Sequence, residues 1–403
     1  MPRNRVIYQC QTLYAGPSPA TGTQYSISGL NQAYAIKTAQ LHRVQSINHG
    51  YNIARRDVNQ FGELAAIDRI ILDPPTINLD FSYLSSSFIN EVNLGFYVNS
   101  GQGDRSCITY ILDKTADERN YFIETSREGV DNVGDTTNSS AVSFVGIGNG
   151  FIANYTHQGA VGDFPRTNVT VEALNNSYET SLGSPSGVIY TGFRPNFDAT
   201  GGNVINNPAV NPSDGSRVTG YVAIPTAYTN PFTGIQVGPY ALSTLRPGDI
   251  TFSLLDHSDG VSALNEAGPT ISDAKIQSYS LTVALAREAL AKLGSKYAFA
   301  REIRFPVQVT FRIEANIGDI TTGNLVDVIT ADKSYDVSVL LKHPVTQITQ
   351  MKYTLKNAKL ESQEYTSSIG PNKAVTLNFA AQIGGPNQLS VGLFFSGVSG
   401  QSV

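Results

Sequence analysis

Val44–Leu79 reads VQSINHGYNIARRDVNQFGELAAIDRIILDPPTINL, and Ile276–Phe311 reads IQSYSLTVALAREALAKLGSKYAFAREIRFPVQVTF. At a constant offset of 232 the two stretches align without a gap. Nine of the 36 pairs are identical: Gln45/Gln277, Ser46/Ser278, Ala54/Ala286, Arg55/Arg287, Gly62/Gly294, Ala66/Ala298, Arg69/Arg301, Ile71/Ile303 and Pro74/Pro306. Others exchange one large apolar residue for another, as Ile53/Leu285, Val58/Leu290 and Ile77/Val309 do. A repeat of this size leads us to expect two similar domains in one polypeptide. It points to a quasi-symmetric assembly before it points to catalysis.

A second block extends the repeat. Ile147–Val171 lies on Leu355–Phe379 at an offset of 208, with Asn149 on Asn357 and Gly162 on Gly370. The pairs Ile147/Leu355, Ile152/Leu360, Val169/Leu377 and Val171/Phe379 fall in step. The two offsets differ by 24, so the first copy holds about that many extra residues between its blocks.

Local patterns assign elements to these blocks. Residues 4–14 alternate in polarity up to Gly16 and Pro17, and Leu41–Ile53 is strand-like. Asp57–Ala66 places Val58, Phe61 and Ala65 on one helical face, and Glu288–Ala298 does the same with Leu290, Leu293 and Tyr297, so a short helix is expected in each copy. Gly62 and Gly294 would then weaken both helices. Arg69–Leu79 and Arg301–Ile313 alternate as strands, with Pro74 and Pro306 at a strand edge or start. Residues 176–246 are dense in Gly and Pro yet keep Tyr190, Tyr221, Val222, Ile224 and Tyr240, which reads as a loop-rich linker or small β insertion. The second copy is expected to begin near Pro247, and Leu389–Phe395 to form a last strand within or between subunits.

The bulk composition narrows the function classes. Charged residues make up 15% of the 403, against about 25% in ordinary domains. Low charge with 36 Gly, 20 Tyr and 18 Phe reads as turn-rich β structure. A net charge of −5 argues against a surface that grips nucleic acid. Two cysteines, Cys10 and Cys107, are too few for a disulfide scaffold and read as inert thiols. The first residues carry no apolar run of signal-peptide length, and no stretch approaches a membrane span, so synthesis in a reducing cytoplasm is expected.

Motifs for chemistry are weak. Gly146, Gly148 and Gly150 resemble part of a dinucleotide loop but lack its helix and its acidic residue, so a turn is expected there. Asp256–Gly260 reads as a turn, not a calcium loop. His42, His49, His157, His257 and His343 lack metal-ligand spacing. No nucleophile, base and orienter converge, so no catalytic residue, cofactor or metal is expected. Arg55, Arg69, Arg287 and Arg301 recur in both copies and are the candidates for an inter-subunit interface, because Arg forms bidentate pairs with carboxylates.

The two blocks together resemble the tail tube proteins of tailed bacteriophages and related contractile injection systems. The resemblance rests on the strand, the D-V-N-Q-F-G or E-A-L-A-K-L-G segment, the strand through Arg69 or Arg301, and the late strand pair Met351–Ala380. It implies a mainly β fold: two tandem tube-type β-sandwich or barrel domains, each with a short α-helix, at 1–175 and 247–403, with the loop-rich 176–246 between them. It implies a virion protein made in the host cytoplasm. Three chains would form a pseudo-hexameric ring, and rings would stack into a tube that contacts other tail proteins and passes DNA without specific binding or a membrane. Other virion roles (head–tail connector, baseplate hub, decoration protein) and a carbohydrate-binding adhesin are the alternatives.

Overall fold

A computed structural model describes residues 10–18, 25–26, 34–71, 75–99, 105–114, 116–126, 143–180, 202–218, 221–225, 244–257, 275–294, 297–316, 334–366, 374–385 and 388–398. The chain is mainly β. It opens with β1 (Gln11–Pro17), β2 (Tyr25–Ser26), β3 (Tyr34–Lys37), β4 (Ala39–Gln40), β5 (Val44–Asn52), β6 (Arg55–Val58), β7 (Asp68–Ile71) and β8 (Thr76–Leu84). Then follow α1 (Ile89–Leu94), β9 (Val98–Asn99), α2 (Thr109–Leu112), β10 (Glu118–Thr125), β11 (Ser143–Ala160), β12 (Arg166–Ala173), β13 (Asn175–Thr180), β14 (Gly202–Asn206) and β15 (Tyr221–Pro225). The chain ends with β16 (Ile250–Asp256), β17 (Lys275–Ala284), β18 (Arg287–Leu290), β19 (Ala300–Ile303), β20 (Val307–Asn316), β21 (Tyr335–Lys342), β22 (Thr349–Thr366), β23 (Ala374–Ile383) and β24 (Gly392–Gly397).

Eight strands form one antiparallel run in the order β5, β8, β12, β11, β17, β20, β23, β22. Period-two sequences place one face of it on the core. In β8, Ile77, Leu79, Phe81 and Tyr83 are buried; in β20, Val307, Val309, Phe311, Ile313 and Ala315 are. One hydrophobic cluster takes in residues from both halves.

The strand pairings follow the two sequence offsets. β5 pairs β8 with a register shift between Val44 and Ser46, and β17 pairs β20 with the same shift between Ile276 and Ser278. The skipped residues are Gln45 and Gln277, and each donates its amide NH2 to the carbonyl two residues back, at 3.1 and 3.0 Å. β11 on β12 shifts register between Ile152 and Asn154; β22 on β23 does so between Leu360 and Ser362. Asn149 and Asn357 both take left-handed φ, 55° and 56°, which Asn tolerates better than most residues. Matching bulges at matching residues are bends built into each strand.

The expected helices at Asp57–Ala66 and Glu288–Ala298 are instead hairpins, β6–β7 and β18–β19. Gly62 and Gly294 sit at φ 93° and 82°, a backbone that an α-helix cannot contain. The helical reading also needed a buried face. Phe61, Leu64 and Leu293 are 107%, 110% and 102% exposed, so nothing covers one. Among the described residues, both α-helices fall between β8 and β10. Helix α1 buries Asn90, Glu91 and Leu94 and ends at Gly95, φ 101°.

Gly146, Gly148 and Gly150 correct a second expectation. They lie in the middle of β11, not in a turn. A Cβ on Gly148 would run into the Pro208 carbonyl, and one on Gly150 into the Tyr121 ring, so close approach explains the glycines. From the turn-dense 176–246 stretch, most of β13 pairs with β11, while β14 and β15 join β3 and β2 in a small sheet. Its Ile205, Val222 and Ile224 pack on Tyr14, Phe122 and Phe144. Strand β24 pairs β22 and β9 within the chain. Pro306 immediately precedes β20; Pro74, Gly370 and most of Asp256–Gly260 lie outside the described residues.

Candidate assembly interface

The two halves meet at a seam where β11 pairs with β17, from Asn154 opposite Ala284 to Ala160 opposite Ser278. Two further backbone bonds extend it: Leu285 N–H donates to Ala153 C=O at 2.9 Å and Val161 N–H to Gln277 C=O at 2.8 Å. Tyr279, Leu281, Val283 and Leu285 are buried there. At the end of the seam the Arg287 guanidinium donates to Ile152 C=O at 3.0 Å, to Arg301 C=O at 3.2 Å and to Asp117 Oδ1 at 2.6 Å, and lies over the Phe151 ring. Its side chain is 1% exposed. Arg301 pairs with Glu172; burial lowers its pKa and Glu172 opposes that. A buried charge needs such partners, since an unpaired ion in a low-dielectric interior is costly.

Among the described residues, the counterpart of this seam is open at both ends of the eight-strand run. β5 is the counterpart of β17, but among the described residues it pairs only with β8. Tyr51 and Ile53 are 62% and 37% exposed where Val283 and Leu285 are fully buried. Arg55 is exposed. Arg69 is exposed as well and pairs with Asp57 of its own hairpin at 2.5 Å. At the other end, among the described residues, Leu360–Thr366 of β22 pairs with β23 and with no second strand. Its Glu361, Glu364 and Thr366 are exposed. An unpaired strand edge is a template for another strand.

Of the four arginines expected at an interface, the structure brings two together, Arg287 and Arg301, inside the chain. Arg55 and Arg69 stand in solvent. Sequence reading missed the partners Asp117 and Glu172. No repeat marks them, because Glu172 aligns with Ala380 at the second offset.

A polar cluster lies in the core beside the seam. Tyr83 Oη and Tyr155 Oη both donate to Glu91 Oε1, at 2.8 and 3.0 Å, and Tyr155 reaches Tyr353 Oη at 3.2 Å. His157 contacts Tyr279 Oη at 2.9 Å and Thr167 Oγ1 at 3.1 Å, with its ring stacked on Tyr353. Burial raises the Glu91 carboxyl to about 7, against the hydrogen bonds from Tyr83 and Tyr155, and lowers His157 to about 3. Burial thus favours the neutral form of both groups, and the hydrogen bonds from Tyr83 and Tyr155 to Glu91, with those to Tyr353 and Tyr279, tie α1 to both halves. Cys10 and Cys107 are free and buried, and burial pushes the Cys107 thiol up, away from the reactive thiolate. Among the described residues no three His, Cys, Asp or Glu group as metal ligands, and no helix is long and apolar enough to cross a membrane.

No family model matches the chain, and no curated protein does. Among solved structures, one similar chain comes from the cryo-EM structure of the anti-feeding prophage (AFP) baseplate, 6-fold symmetrised. It shares 12% identity and a TM-score of 0.24, over 37% of this chain and 93% of that one. A likeness of that size carries no functional argument.

Proposed function

We propose that this chain is a structural subunit of a phage-type particle, a tail tube protein whose two similar halves, 1–175 and 247–403, act as two subunits of a ring. The segment 176–246 decorates the first half. One observation carries the reading: among the described residues, the seam that joins β11 to β17 inside the chain has an open counterpart at β5 and β22. A unit with two such complementary ends adds copies of itself, and only closure removes the free edges. Three chains would make a pseudo-hexameric ring. The exposed apolar hairpin tips at Phe61, Leu64 and Leu293 would dock one ring on the next. A net charge of −5 suits a lumen through which DNA slides without phosphate contacts.

Negative-stain electron microscopy of the purified chain, with its mass measured in solution, tests this. Closed three-chain rings or hollow tubes are the expected result. A single unstacked ring would favour a connector or baseplate role. A chain that stays monomeric at high concentration, alone and with a preformed tail initiator, would overturn the tube reading.

A further inference from the structure

We propose that successive copies of this chain join through β5 of one and the C-terminal half of β22 of the next, in the register that β17 and β11 use within the chain. The proposal rests on the tube-subunit reading and supplies the residues that make the contact.

The register follows from pairings already described. The offset of 208 carries the pair Ile152–Val171 of β11 and β12 onto Leu360–Phe379 of β22 and β23. The offsets of 208 and 232 together carry Val169–Phe81 of β12 and β8 onto Leu377–Ile313 of β23 and β20. Applied to Asn154–Ala284 of the internal seam, the same two offsets set Ser362 of one copy opposite Asn52 of the next. Glu364 then faces Gly50 and Thr366 faces Asn48, antiparallel throughout.

The chemistry of the two edges fits this placement. Tyr51 and Ile53 take the positions of Val283 and Leu285, which the internal seam buries completely. Arg55 takes the position of Arg287, so its guanidinium meets the Leu360 carbonyl as Arg287 meets that of Ile152. Exposed Arg55 and Arg56 approach an edge that presents Glu361 and Glu364. Two internal contacts are not copied. Glu172 is replaced by Ala380, and Phe151 by Lys359. Arg69 answers the first change by pairing with Asp57, which stands where the second half has Ala289. A closed ring would therefore alternate two kinds of seam, and the one between chains lacks an ion pair that the internal one has.

Paired cysteines test the register. Antiparallel partners lie about 4.5–5.5 Å apart at Cα, within disulfide range. Gly50→Cys with Glu364→Cys places both thiols on exposed positions, and a Cβ on Gly50 meets nothing within 4 Å. Asn52→Cys with Thr366→Cys is the off-register control, about 13 Å apart along the strand. Multimers of each variant would be oxidised and run on a non-reducing gel. The first pair is expected to shift the monomer band to dimers and trimers, and the control to leave it in place. Multimers in which Gly50→Cys/Glu364→Cys stays uncrosslinked, or in which the control crosslinks equally, would overturn the register and leave the tube reading standing. The absence of multimers from the wild-type chain and both variants would overturn both.

Discussion

Arg55 and Arg287 hold the same position in two hairpins 232 residues apart, yet Arg287 is buried against Asp117 while Arg55 is bare to solvent. The difference lies in the neighbour. Arg287 has the first half of its own chain beside it, and among the described residues Arg55 has no such neighbour.

Truncating the two arginines should therefore have opposite effects. Arg287→Ala leaves Asp117 in a nearly buried site without its partner, a loss that typically costs about 3–5 kcal/mol. Arg55→Ala should change unfolding of the dilute monomer by less than about 0.5 kcal/mol, as exposed substitutions do, while lowering the mass of the assembled species. Urea unfolding and light scattering on both variants separate the two outcomes.

The buried Glu91 makes stability depend on pH. Its folded pKa is raised from 4.5 to about 7, so its contribution is complete below 4.5 and is lost as pH rises through 7. The cost at pH 8 is on the order of 3 kcal/mol. His157 and His42, lowered to about 3 and about 4, act in the other direction: their contributions are complete above 6.5 and are lost as pH falls. The urea midpoint should peak near neutral or slightly acid pH. Glu91→Gln should flatten the alkaline limb and leave the acid limb; an unchanged alkaline limb would mean that another group sets it.

Gly148 and Gly50 separate packing from propensity. Both lie in strands, but a Cβ on Gly148 strikes the Pro208 backbone while one on Gly50 meets open space. Gly148→Ala should destabilise by about 1–3 kcal/mol, the usual cost of overpacking. Gly50→Ala should be neutral or slightly stabilising in thermal unfolding.

If the hairpin tips stack rings, polar tips should stop stacking without unfolding the chain. Phe61→Ser with Leu293→Ser changes only fully exposed apolar side chains. Electron micrographs of this variant should show isolated rings. Long tubes would assign stacking to another surface.

The β architecture was legible because a two-residue period reports a half-buried sheet directly, as in Val307–Ile313. The hairpins at Gly62 and Gly294 were misread. Apolar residues at helical spacing, Val58 and Phe61 or Leu290 and Leu293, look alike whether they face a core or solvent. Positive φ at a glycine is invisible in a single sequence. Gly146–Gly150 was misread for a similar reason: glycines that admit a neighbouring backbone look the same as glycines that turn the chain.

The sequence by itself determined that the chain is rich in β structure, that two stretches repeat at offsets of 232 and 208, and that arginine recurs at two positions of the repeat. Those properties are local or periodic and need no partner. Tertiary structure decided which copy of each repeated residue is buried. Arg287 and Arg301 are enclosed because β17 pairs with β11, while Arg55 and Arg69 are exposed because nothing in the chain pairs with the outer edge of β5 among the described residues. Two related stretches of sequence thus occupy different environments, because burial depends on what lies across the strand edge, and the strand itself does not encode that.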